Sequence, residues 1–259
     1  MAKVEEVKED VLCESFIAKM RAKAGNALKS AISKVLGIFH ASASLVYLDQ
    51  GLLLVKKTFI RLHESAHGFL PWQRPLYAVV EDCEKTLGSE VADLFDREAN
   101  VFASEVLFQI DTFTRIAEEH EFSIWTPIKL HEKFGASIYA SVRQYVSKNS
   151  KACAVLILNM PVMREGDGFT ATLRRPIQSI PFIQMFGNVE WPDTFTPDDQ
   201  IGAMVPIGRR RSSDKRNIVL CNRNGETCEC IAEAFTQTYQ VFILIHLVKT
   251  LTRTSFIMP

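Results

Sequence analysis

The chain has 259 residues, room for one large domain or two to three small ones, and a 47% hydrophobic content that supports real cores. Thirty basic residues balance 30 acidic ones, which argues against a polyanion as the main partner. The charged opening MAKVEEVKEDVL makes no secretory signal, and the late apolar run Val241 to Val248 contains His246 and is too short to span a bilayer, so a soluble cytoplasmic protein is expected.

Leu12, Phe16, Met20, Ala24, Leu28, Ile32 and Leu36 recur every four residues and predict an amphipathic helix over about 12–36. Its ordinary apolar stripe fits packing on a core better than lying on a membrane. Residues 44–55 predict two short strands, LVYL and LLLV, turning at Asp49-Gln50-Gly51.

The next segment, KKTFIRLHESAHGFLPW, carries His63-Glu64-Ser65-Ala66-His67. On a helix, residues four apart share a face one turn from each other. His63 and His67 in that arrangement reach one tetrahedral zinc ion, and Glu64 is placed to act as general base beside it. The competing explanation is an amphipathic helix with Glu64 on its wet side. Apolar neighbours on both sides (Phe59, Ile60, Leu62, then Phe69 and Leu70) point to burial, and buried His and Glu need partners. Gly68 and Pro71 mark the expected helix end.

A loop is expected from Pro71 to about Ser89, then a second helix over SEVADLFDREANVFASEVLFQ. Phe95, Ala99, Phe102 and Val106 are its predicted buried stripe, with Glu98 and Glu105 at the border. An acid at a buried face is costly unless paired or bound to metal, so Glu98 is the candidate third ligand. Asp96 is expected to face water. A solvated flank is the plainer role for such a Glu.

Together, LHESAHGFLPWQ and FDREANVFASEVLFQ resemble the ImmA/IrrE family of metallo-endopeptidases. That family pairs HExxH with a later E-A-x-x-F-A segment, which here is Glu98-Ala99-Asn100-Val101-Phe102-Ala103. The resemblance covers roughly residues 45–150. It implies zinc held by His63, His67 and Glu98, with Glu64 as general base. Its usual LLMP after the second motif is VLFQ in this chain. It also implies a protein substrate, of the helix-turn-helix repressor class, whose cleavage relieves repression.

Phe113 to Ser147 resembles a helix-turn-helix, with Gly135 at a turn and Ser137 placed to cap the next helix. From Phe113 to Lys148, five basic residues (Arg115, Lys129, Lys133, Arg143, Lys148) face four acidic ones (Glu118, Glu119, Glu121, Glu132). So small an excess is a poor footprint for nucleic acid, and a structural or docking role is expected instead.

From Lys151 the pattern turns to strands: CAVLILNMP, FTATLRRP and RNIVLCNR. Asn224-Gly225 predicts a two-residue hairpin that sets Cys221 opposite Cys228, with Cys230 on the same face. The six cysteines form no CxxC pair, and buried thiols in a reducing compartment are expected rather than a redox or metal switch. Arg209-Arg210-Arg211 with Lys215 and Arg216 is a basic loop, ordinarily solvated. Some relatives carry a GAF-like sensor domain here, so a regulatory role is one expectation for this region.

The overall expectation is an α+β protein. A mainly helical zinc-peptidase domain with a small strand element spans 1–112. A helix-turn-helix-like segment spans 113–150, and a β-rich domain, a candidate regulatory one, spans 151–259. The predicted function is a zinc-dependent endopeptidase. The alternative is a DNA- or protein-binding regulator with a structural zinc site, which would be closed by a fourth protein ligand.

Overall fold

The computed structural model describes residues 3–7, 37–40, 44–49, 52–76, 89–164, 168–208, 211–237 and 239–250. The helix expected over about 12–36 lies outside them, as do residues 77–88 of the expected loop and Arg209 and Arg210 of the basic loop. Helices and antiparallel sheet make an α+β fold. Two compact units divide the chain: Met1–Thr112 with Glu132–Ser137, and Phe113–His131 with Ile138–Pro259. The helix-turn-helix-like segment is therefore not a body of its own. Most of it groups with the β-rich region. No described helix is long and apolar enough to cross a membrane.

In the first unit, strands β1 (Lys3–Val7), β2 (Gly37–His40) and β3 (Leu45–Asp49) form a sheet ordered β1-β3-β2. β1 runs parallel to β3, and β2 antiparallel to it. The expected hairpin about Gly51 is not what forms. LVYLD is a strand, but its antiparallel partner lies before it at 37–40, and LLLV leads into helix α1 (Leu54–Phe69). Four consecutive apolar residues suit a helix start as well as a strand, because periodicity cannot separate the two over so short a run. Helix α1 ends at Phe69; Leu70 is extended (ψ 115°), as a residue before proline prefers. Helix α2 (Ser89–Leu107) packs along α1, and β2 and β3 also lie against α1.

The second unit opens with three short helices: α3 (Thr112–Glu118), α4 (Trp125–Leu130) and α5 (Ile138–Ser147). Then come β4 (Cys153–Asn159), β5 (Val162–Met163), β6 (Phe169–Gln178), helix α6 (Ile180–Phe186), β7 (Thr194–Phe195), β8 (Arg216–Cys221), β9 (Thr227–Gln237) and β10 (Gln240–Thr250). The sheet order is β5-β6-β4-β10-β9-β8, with β7 beside β6. Residues 153–158 of β4 and 241–245 of β10 are fully buried without alternation, so both faces of the sheet's middle are covered. On one face, Leu156, Leu158, Ile243 and Ile245 join Phe182, Phe186, Phe195 and Met204 in one apolar core. On the other, α5 lies across β4 and β6, and Trp125 meets Phe235 edge-on at 5.3 Å.

Local chemistry sets the element ends. The Ser179 hydroxyl accepts from the Phe182 N–H at 3.2 Å, capping α6, and donates to the Lys151 carbonyl at 2.8 Å. Gly187, at φ +71°, closes the same helix. The β8–β9 turn differs from the expected one. Asn222 Oδ1 accepts from the N–H groups of Asn224 and Glu226, and Gly225 alone of these residues has positive φ (+79°). The register becomes Cys221 opposite Thr227 and Leu220 opposite Cys228. One step of slip reverses the faces. Cys221 is exposed, whereas Cys228 and Cys230 are buried in the core.

Candidate metal centre

Helix α1 presents His63 and His67 on the side that α2 covers. Their rings meet edge-to-face with centroids 5.0 Å apart. Asp96 of α2 completes a group of three whose ligand atoms lie within 4.8 Å of one another. Its Oδ1 is 3.8 Å from His63 Nε2. Burial holds both imidazoles below the ordinary histidine range. His67 is lowered to about 4, and the Gln73 contact opposes the shift only in part. His63 is lowered too, against the opposing pull of Asp96 and of a hydrogen bond with the Asn100 side chain. Two imidazoles kept neutral at pH 7 offer lone pairs rather than positive charge, which is what a cation requires.

This set of two imidazole nitrogens and one carboxylate oxygen fits a divalent transition metal, and its three members are one short of zinc's usual four ligands. For zinc bonds of roughly 2.0–2.2 Å, donors that now lie within 4.8 Å of one another would have to draw closer together. No fourth ligand joins the group among the described residues.

Glu64 lies between the two histidines in sequence and is half-buried. Burial, and secondarily the negative charge of Asp96, pushes its carboxyl up to about 8, while a hydrogen bond from the Phe39 backbone on β2 opposes the shift. β2 is an edge of its sheet among the described strands.

Glu98 stands elsewhere. Its Oε2 accepts from Trp72 Nε1 at 2.7 Å and from Gln73 Nε2 at 2.7 Å, and these bonds hold its carboxyl below the usual range. Fully buried Gln73 in turn meets His67 Nδ1 through its Oε1 at 2.6 Å. Glu98 therefore reaches His67 through Gln73 and is not in the three-residue group; Asp96, expected to face water, is. Its side chain is 63% exposed and still faces His63. Sequence reasoning missed Gln73 as well. The only available signal was its place two residues after the helix-ending Pro71.

No family model matches the chain, and no curated protein matches it. Among solved structures, a Mycobacterium tuberculosis transcriptional regulator aligns with 12% identity and a TM-score of 0.49. The alignment covers 94% of this chain and 66% of that one. At that level the likeness supports neither a shared activity nor a shared ligand.

Proposed function

We propose that this chain is a zinc-dependent endopeptidase whose metal is held by His63, His67 and Asp96. The observation carrying this reading is the clustering of two neutral imidazoles and a carboxylate beside the half-buried Glu64. A bound zinc ion supplies Lewis acidity to a scissile carbonyl and lowers the pKa of a water. Glu64 then takes a proton at its carboxylate and returns it to the leaving amine. Burial raises the Glu64 carboxyl to about 8, which disfavours the base form, and a cation held beside it would favour the carboxylate that the task requires. In this reading β2, an edge among the described strands whose Phe39 backbone reaches Glu64, pairs with an extended peptide.

By the resemblance to the ImmA/IrrE family, the proposed substrate is a helix-turn-helix repressor and the outcome is relief of repression, in the cytoplasm. The alternative, a regulator with a structural zinc site, needs a fourth ligand. Metal analysis and a cleavage assay separate the two readings. The purified protein is analysed for metal and incubated with helix-turn-helix repressors as candidate substrates. One zinc per chain and fragments in the mass spectrum are expected. Glu64→Gln should keep the zinc and lose cleavage. Cleavage by the Glu64→Gln protein would remove Glu64 from its role, and failure of the wild-type to hold zinc would sink the metalloprotease reading.

A further inference from the structure

We propose that Gln73 and Glu98 are positioning residues that fix His67 in its Nδ1–H tautomer and so present its Nε2 lone pair to the space shared with His63 and Asp96. The purpose of this arrangement rests on the metalloprotease reading; the arrangement itself does not.

A neutral imidazole carries one N–H and one lone pair, and its partners decide which nitrogen has which. The polarity here can be followed from a group that has no choice. Trp72 Nε1 is only a donor, and it points at Glu98 Oε2 from 2.7 Å. The ionised Glu98 carboxylate is only an acceptor, and the other atom on the same oxygen is Gln73 Nε2, also at 2.7 Å. The Gln73 amide must therefore turn its NH2 toward Glu98. The Phe95 carbonyl, 3.4 Å from the same nitrogen, agrees with that choice. Gln73 Oε1 is then committed to His67, 2.6 Å from Nδ1, and a carbonyl oxygen can only accept. Nδ1 must carry the proton.

Flipping the amide would set its carbonyl against a carboxylate and a peptide oxygen. Gln73 is 0% exposed, so no solvent shell softens that opposition. The segment leaving α1 thus folds back to orient a histidine of the helix it has just left. This also gives Glu98 a place in the site without making it a ligand.

The test reads the tautomer in metal-free protein by two-bond proton–nitrogen NMR, with His67→Ala identifying the signals. Wild-type His67 should show the Nδ1–H pattern. Gln73→Glu sets two carboxylates against each other and should weaken zinc, measured by competition with a chromophoric chelator, by roughly 10–100-fold. Adding Glu98→Gln reverses the donor–acceptor order. The carboxylate introduced at position 73 accepts from His67 and from the amide introduced at position 98, whose own carbonyl still accepts from Trp72. The double variant should recover both the Nδ1–H pattern and most of the zinc affinity, which a merely space-filling role would not do. Glu98→Gln alone should retain one zinc per chain. The proposal falls if wild-type His67 carries its proton on Nε2, or if the double variant binds zinc no better than Gln73→Glu. A wild-type protein that shows the Nδ1–H pattern but binds no zinc upholds the positioning network and overturns the metalloprotease reading instead.

Discussion

Two positions apart on α2, Asp96 and Glu98 project about 160° from each other at 100° per residue. Which of them meets the histidines depends on how the helix is rolled. The buried residues are Phe95, Ala99, Ala103 and Leu107, whereas Phe102 is half-buried and Val106 is 44% exposed. Relative to a stripe of Phe95, Ala99, Phe102 and Val106, this rolls the buried face by roughly 50°. Asp96 then lies about 40° from its centre and Glu98 about 120° away. We expect Asp96→Ala to lose zinc and Glu98→Ala to keep one zinc per chain with weaker affinity, by elemental analysis and chelator competition. The reverse pattern would make Glu98 the ligand. The His63–His67 pair was readable in the sequence because both residues sit on one helix, whose backbone fixes their separation. The third member of the group comes from another helix, whose roll depends on small residues such as Ala103 that carry little weight in an apolar pattern. Gly68 offers a second test at this scale. A Cβ there would lie 2.6 Å from Phe39 Cζ. Gly68→Ala should destabilise the first unit by about 1–3 kcal/mol in urea unfolding, since the ring must move or α1 must lift.

At the level of elements, the N-terminus of α4 lacks a side-chain cap of its own, because Ile124 holds the cap position. The buried Glu233 of β9 takes that part. Its carboxylate accepts from the Ser123 hydroxyl at 2.8 Å and the Ile124 N–H at 2.9 Å. Negative charge at a helix start is favourable, yet burial still raises this carboxyl above its ordinary value. Lys215 pulls it down, and Glu121, paired with that lysine, pushes it up. An acid with a raised folded pKa binds more protons folded than unfolded. Its contribution to stability therefore falls as pH rises from the ordinary glutamate value through the folded one. Glu233→Gln keeps an acceptor and cannot ionise, so its stability relative to wild-type should increase as pH rises above the ordinary glutamate range in urea titrations. Glu233→Ala leaves two buried donors without this acceptor and should cost about 1–3 kcal/mol. The β8–β9 ladder is equally specific: Cys221→Ser should remove one rapidly labelled thiol under native conditions, and Cys228→Ser should remove none. These strands could be read from their β-branched and apolar runs, but their register could not. It was set by the Asn222 side chain bridging two backbone N–H groups, a five-residue connection where Asn-Gly alone predicts two.

For the whole molecule, two compact units divide the chain, and metal at the His63, His67 and Asp96 group is expected to act within the first. Zinc at about 100 times its dissociation constant should stabilise the site by about 2.7 kcal/mol. Hydrogen exchange should slow in α1 and α2 and stay unchanged in β4, β9 and β10; slowing throughout the sheet would contradict this confinement. Local runs identified most strands of the second unit but could not give their order, because neighbours in the sheet are far apart in sequence. Val241 to Val248, considered first only as too short for a bilayer, proves to be a middle strand. β10 lies between β4 and β9, pairing Ala154 with Ile245 and Ala232 with the same residue on its other side. The order of synthesis then matters. During translation, at about 5–20 residues per second, β4 emerges with both neighbours still to be made, and its inner partner is the last strand of the sheet to leave the ribosome. Until β10 is in place, the β4–β6 and β8–β9 pairs each lack the strand that joins them in the folded sheet. Newly made protein is therefore most prone to aggregate in the seconds before β10 arrives, and a pause in translation just upstream of Gln240 would lengthen that interval.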